Sequence, residues 1–292
     1  SANGPARWQE CFADGSSSFR HNTTGRMRCN ICGAGRWQKG LDMTASDTEA
    51  RLDSGQWLDR LDNSAALEVM LASHGAAADA VAASMVPIGT AVDEMVSRLA
   101  GDDQGRIIYA GAGTSIRIAV QDGVELGPTF DWPAERVAYL VAGGHGALMH
   151  AVENAEDDFE AAQAGVTGLA MGAADILVAI SASGRTPFTC AAVTAARRTG
   201  ALTIGVANND GTPLLDSAEI AIPLFTGPEA VAGSTRLKAG TSQKICLNMI
   251  STLVLTRLGD VRDGQMAATT PGNAKLRERH DRSHGGADRD GP

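Results

Sequence analysis

The sequence predicts an α/β protein: a doubly wound parallel sheet flanked by helices, preceded by a helical segment. Three observations predict it. The short apolar runs "RIIYAGAG", "RVAYLVAGG", "DILVAISASG", "ALTIGVAN" and "EIAIPLF" alternate with amphipathic or polar stretches, the pattern of parallel strands joined by helices. The chain has 292 residues, 43% of them hydrophobic, enough to bury a full core. Two of the runs end in small and hydroxylated residues that then open a helix, as strand-to-helix turns of such sheets do.

Taken in order, residues 1–43 are rich in Gly, Ser, Arg and Asn and carry no hydrophobic period, which reads as disorder or an extension, with Met43 as the natural start. Residues 44–100 form an N-terminal helical segment. From Ser64, an N-cap candidate, "SAALEVMLASHGAAADAVAASM" spaces its apolar residues at helical intervals, and "IGTAVDEMVSRLA" repeats the pattern past Pro87. The sheet domain spans 101–260 and closes with a long helix from about Ala239 to Leu258. The tail, 261–292, ends in "RERHDRSHGGADRDGP", whose mixed charges read as a solvated, frayed end.

Charge and composition narrow the function. A net charge of −9 argues against sequence-independent binding to nucleic acid, which relies on Lys and Arg to displace counterions. No apolar run is long enough to span a bilayer and the N-terminus has no signal-like segment, so neither nucleic acid nor membrane is expected as a partner and a cytoplasmic location is expected. The five cysteines, an odd number, do not form a disulfide framework. Cys29 and Cys32 make one CxxC that Cys11 and His21 could extend to four zinc ligands, but the spacing is irregular, and no metal site is assigned.

Ligands of open parallel sheets sit at the carboxyl ends of strands. Two such ends stand out: "YAGAGTS", Tyr109 to Ser115, and "SASGRTP", Ser181 to Pro187. Each puts hydroxyls and unpaired backbone N–H groups at a helix start, a ready site for a phosphate dianion. Thr114, Ser115, Ser181, Ser183 and Thr186 would donate, and Gly113 and Gly184 would let the backbone come close. Plain N-caps and turn glycines are the alternative. "GAGTSI" lacks the third glycine of a dinucleotide fingerprint, and no Walker lysine follows.

These residues carry a resemblance. "SASGRTP" with "GAGTS" resembles the sugar isomerase (SIS) domain, a doubly wound fold that binds phosphosugars. "GPEAVAGSTRLKAGTSQKICLNMIST", Gly227 to Thr252, resembles the signature of N-acetylmuramic acid 6-phosphate etherases and the related glucokinase regulatory proteins, as do "AVENAEDD", Ala151 to Asp158, and "NAKL", Asn273 to Leu276. The similarity runs from about Thr48 to Arg279, and the family's short helical C-terminal portion is expected to be missing. The resemblance implies cleavage of the D-lactyl ether of N-acetylmuramic acid 6-phosphate to N-acetylglucosamine 6-phosphate and D-lactate, with a phosphosugar as substrate, no metal or organic cofactor, and a homodimer.

Elimination of this kind calls for a base at C2 and an acid at the departing oxygen. On the resemblance, Glu125 in "QDGVELGPTF" is the principal acid-base and Glu156 in "ENAEDD" assists in ring opening or water addition. Ser234, Arg236 and Lys238 of "GSTRLKAGT" join the substrate-binding set with Arg185. Arg236 or Lys238 would pair with a substrate anion or, alternatively, form a structural ion pair with Glu229. The chain departs from the family's usual pattern at Ile116, where a glycine is usual, and at Val124, Leu126 and Gly127 around Glu125. These changes are expected to narrow the pocket and loosen the loop that aims Glu125. They keep open a non-catalytic phosphosugar sensor. An aldose-ketose isomerase is disfavoured, since no base histidine is identifiable.

Overall fold

The computed structural model describes residues 48–102 and 104–266. They belong to one compact unit that starts at Thr44. The 1–43 extension, the zinc set, the "NAKL" motif and most of the charged tail lie outside the described residues.

Five strands form one fully parallel sheet: β1 (Ile107–Gly111), β2 (Val137–Val141), β3 (Ile176–Ser181), β4 (Leu202–Ala207) and β5 (Ile220–Pro223), in the order β2-β1-β3-β4-β5. Each lies within one of the five apolar runs. β1, β3 and β4 are buried along their whole length, which is why they read as continuous hydrophobic runs without alternation. The central pair is in register from Ile107↔Ile176 to Gly111↔Ile180.

Helices cover both faces. On one side lie α1 (Asn63–Ala83), α2 (Met85–Gly101), α3 (Gly113–Val124), the short α4 (Leu126–Phe130) and α8 (Lys238–Leu258). Ile88, Val92 and Met95 of α2, Ile116 and Ala119 of α3, and Leu247, Ile250 and Val254 of α8 fill that core against β1 and β3. On the other side α5 (Phe159–Gly168), α6 (Pro187–Arg198) and α7 (Pro213–Ser217) pack Val166, Phe188, Ala192, Val193 and Leu214 against Ile108, Leu177 and Ala179. A two-strand hairpin, β6 (Val261–Arg262) and β7 (Gln265–Met266), follows α8.

The N-cap of α1 is Asp62, whose carboxylate accepts from the Ala65 N–H at 2.9 Å, so the helix starts two residues earlier than an N-cap at Ser64 suggests. α2 begins at Met85 and contains Pro87 within its first turn, where a missing N–H costs nothing. From β1 the chain turns through α3 to β2 on one side. From β3 it turns through α6 to β4 on the other. The crevice between the carboxyl ends of β1 and β3 is therefore the switch point at which such sheets hold ligands.

Candidate active site

Two helix N-termini flank that crevice. The turn after β1 opens α3 with Gly113 in the left-handed region, φ +53°, and Ala112 at the N-cap without a side-chain bond. The backbones of β1 and β3 nearly touch here: a side chain at Gly111 would lie 2.7 Å from the Ile180 carbonyl oxygen. Ser115 is buried and Thr114 half-buried. The first N–H groups of α3 are thus free to meet an anion.

After β3, the hydroxyls form a cluster. Ser181 Oγ lies 2.9 Å from Thr186 Oγ1 and 3.2 Å from Ser183 Oγ, while the Gly184 and Arg185 N–H groups donate to Ser181 Oγ and Ser183 Oγ. Thr186 occupies the N-cap position of α6 but makes no cap bond, so the cap-only alternative fails there. Gly184 has φ +65°, and a Cβ on it would come within 2.4 Å of Thr212 Oγ1. Only glycine fits. The Thr212 and Thr189 hydroxyls are buried without a hydrogen-bond partner among the described residues. Arg185 is exposed at the rim.

The signature segment lies beside the first loop. A Cβ on Gly240 would sit 3.5 Å from Thr114 Cγ2, so the start of α8 abuts the start of α3. Here the anion is built in. Glu229, fully buried, accepts from the Lys238 and Ala239 N–H groups at 3.2 and 2.9 Å and so closes the α8 N-terminus. It acts on the backbone N–H groups of the signature segment. Lys238 is 6% exposed, and burial pushes its ammonium below the ordinary lysine value, opposed by the charge of Glu229. Ser234 is half-buried and Arg236 exposed.

The two carboxylates fall in different places. Glu156, in a 3-10 turn at Ala155–Asp157, sits against the first loop: a Cβ on Gly113 would be 3.3 Å from Glu156 Oε1. Arg117, one turn further along α3, donates to the Ala147 and Leu148 carbonyls and pins the segment that leads to Glu156. Glu125 instead caps the far end of α3 and is exposed. The helix has 12 residues, so about 18 Å separate the two ends at 1.5 Å per residue.

The departures from the usual pattern take unexpected positions. Ile116 is 1% exposed and faces the sheet core, so it does not narrow the crevice. Around Glu125 there is no loose loop: α3 runs into α4 with Glu125 at φ −85°, ψ −8°, Leu126 is buried, and Gly127 lies within α4.

Residues not singled out from sequence also build the site. Thr48, fully buried, accepts from the Gly233 N–H through its carbonyl and exchanges two hydrogen bonds with the Asn209 side chain. This strap ties the signature loop to the loop after β4. Asn208 bridges Ser242, Gln243 and the Leu224 carbonyl. Their long sequence separations gave no local signal.

A doubly wound sheet with hydroxyl-lined helix starts at its switch point is the architecture of a SIS domain. The SIS domain family matches residues 151–253, and the glucokinase regulatory protein N-terminal SIS domain matches 88–197. Among solved structures, a putative sugar-phosphate isomerase from Listeria monocytogenes (19% identity, TM-score 0.50, covering 77% of this chain and all of that one) shares the fold. So does a phosphoheptose isomerase from Francisella tularensis (21%, 0.50, 65% and 96%). Curated relatives are nearer. The chain is 44% identical over 222 residues to the N-acetylmuramic acid 6-phosphate etherase of Deinococcus radiodurans, covering 76% of this chain and 72% of that one. It is 43% identical over 232 residues to that of Rubrobacter xylanophilus, covering 80% and 76%. The chain belongs to the N-acetylmuramic acid 6-phosphate etherase family.

Proposed function

We propose that the protein cleaves the D-lactyl ether of N-acetylmuramic acid 6-phosphate, a carbon-oxygen lyase reaction followed by hydration, to give N-acetylglucosamine 6-phosphate and D-lactate. The observation that carries this reading is identity above 40% to etherases over most of the chain, with open helix N-termini at the switch point. The 6-phosphate is held by the Gly113–Ser115 and Ser181–Thr186 loops, and Ser234, Arg236, Lys238 and Arg185 complete the set that binds the substrate's phosphate and lactyl carboxylate. In the reaction, a base takes the C2 proton of the open-chain aldehyde. The C3–O bond then breaks, and the departing lactate oxygen receives a proton. Water adds hydroxide at C3 and a proton at C2.

Glu156 lies where it can serve the sugar bound at the first loop. Glu125 is a helix length away, about 18 Å, so within one chain the two do not face one sugar. A homodimer is therefore part of the proposal, with a second copy supplying Glu125. The start of α1 favours it: Leu67 and Leu71, one turn apart, are 65% and 76% exposed, an apolar stripe of the kind that partners cover. The same reading makes the cytoplasm its compartment, because a sugar phosphate is charged and does not enter a bilayer unaided.

D-lactate release from N-acetylmuramic acid 6-phosphate tests the reading. The unaltered protein should release it, and Glu125→Gln should lower the rate about 10²- to 10⁴-fold, the usual range for a lost acid-base group. No release, with phosphosugar binding intact by calorimetry, would make the chain a sensor.

A further inference from the structure

The last turn of α3 holds a carboxylate that the proposed reaction does not use. Asp122 is 2% exposed. Its Oδ2 accepts from the Tyr109 hydroxyl of β1 at 3.0 Å, and its Oδ1 accepts from Asn248 Nδ2 at 2.6 Å and Ser251 Oγ at 3.2 Å, both on α8. All three donors are neutral. The nearest cation in this network, Lys244, reaches it only through Asn248 Oδ1. A buried carboxylate without a paired charge is expensive to keep. Ile116 and Ala119 of α3 pack into the core beside it.

Its surroundings respond to it. Burial and then the Asp122 charge push the Tyr109 hydroxyl far above the usual tyrosine value, and the same two causes raise Tyr139 to about 12. The two rings stack at 6.0 Å and 15°. α3 rests directly on them, since a Cβ on Gly123 would be 2.5 Å from the Tyr139 hydroxyl oxygen and 2.9 Å from Tyr109 Cε2. Three residues past Asp122, the Glu125 N–H donates to the Asp122 carbonyl at 3.2 Å. The turn that the Asp122 carboxylate clamps to β1 and α8 is thus the turn from which Glu125 leaves the helix.

We propose that Asp122 is the positioning residue for Glu125: tied to Tyr109, Asn248 and Ser251, it fixes the last turn of α3 and with it the direction of the Glu125 carboxylate. The inference rests on the reading of Glu125 as the acid-base group. The phosphate loops lie at the opposite end of α3, so loss of Asp122 should lower kcat and leave KM nearly unchanged. Misplacement of a reacting group by about 1 Å costs on the order of 100-fold.

The test is a cycle of Asp122→Ala, Glu125→Gln and the double variant, read by D-lactate release from N-acetylmuramic acid 6-phosphate. Asp122→Ala should lower kcat about 100-fold with KM within about threefold. Asp122→Asn, which keeps the acceptor for Asn248 and Ser251, should recover part of the loss. In the Glu125→Gln background, Asp122→Ala should cost little more, because a residue acting through Glu125 has nothing left to aim. Independent, multiplying effects, or an unchanged kcat, would overturn the proposal. Should Asp122→Ala fail to fold, Asn248→Ala and Ser251→Ala enter the same cycle, where coupling to Glu125 supports the proposal and multiplication overturns it. Absence of release by the unaltered chain overturns the etherase reading itself and is told apart by that control.

Discussion

Gly113 shows how one missing side chain serves two ends. Its φ of +53° disfavours any Cβ, and the atom that would meet that Cβ is Glu156 Oε1 at 3.3 Å. Gly113→Ala should therefore lower stability by about 1 to 2 kcal/mol through the left-handed backbone. It should also lower kcat/KM for D-lactate release, by crowding both the phosphate loop and the carboxylate. Thermal melts and initial rates check the two effects separately; a stable variant with unchanged kinetics would remove Glu156 from the site. Gly184 is more tightly confined, by the Thr212 side chain instead of a carboxylate. Both glycines are visible in the sequence as turn residues. Neither neighbour is, because Glu156 and Thr212 arrive from other segments.

Among elements, the strands were the most legible, since burial on both faces leaves an unbroken apolar run that needs no periodicity to be seen. β1 in "RIIYAGAG" and β3 in "DILVAISASG" are found at once. What each helix end does was less legible. The starts of α3 and α6 remain open, while Glu229 closes α8, and the difference lies in a carboxylate nine residues before Lys238 that folds back on the helix. Such a return depends on the loop and not on spacing. The separation of Glu125 from Gly113 follows from the length of α3, which runs on into α4 directly after Glu125. At the amino end of the sheet, the Arg106 guanidinium grips Asp175 with two nitrogens and ties β1 to the start of β3. Burial would raise the Asp175 carboxyl, but hydrogen bonds from Arg106 and the Gly172 N–H, with the Arg106 charge, hold it below the usual value. A lowered carboxylate contributes stability above its unfolded pKa of about 3.9 and loses it as pH falls through the folded value. Asp175→Asn should thus melt lower than the unaltered chain at pH 7, with the gap closing on acidification below about pH 4. A gap that stays constant down to pH 3 would contradict this origin.

For the whole molecule, a homodimer predicts a solution mass of twice the 30.1 kDa chain. Charge on the exposed stripe, as in Leu67→Asp with Leu71→Asp, should return it to monomer in light scattering and abolish D-lactate release together. Monomer at working concentration in the unaltered chain would sink the shared site. The parallel sheet has a further consequence, for synthesis. Both walls of the crevice need β1 beside β3, yet residues 107–111 leave the ribosome well before 176–181. At about 5 to 20 residues per second, that gap of about 70 residues lasts on the order of 4 to 14 seconds. During it, α1, α2 and α3 are already made, but one edge of β1 has no strand to pair with. An unpaired apolar strand edge invites pairing with other chains, so nascent polypeptides are most exposed to aggregation in the interval before the sheet acquires its centre.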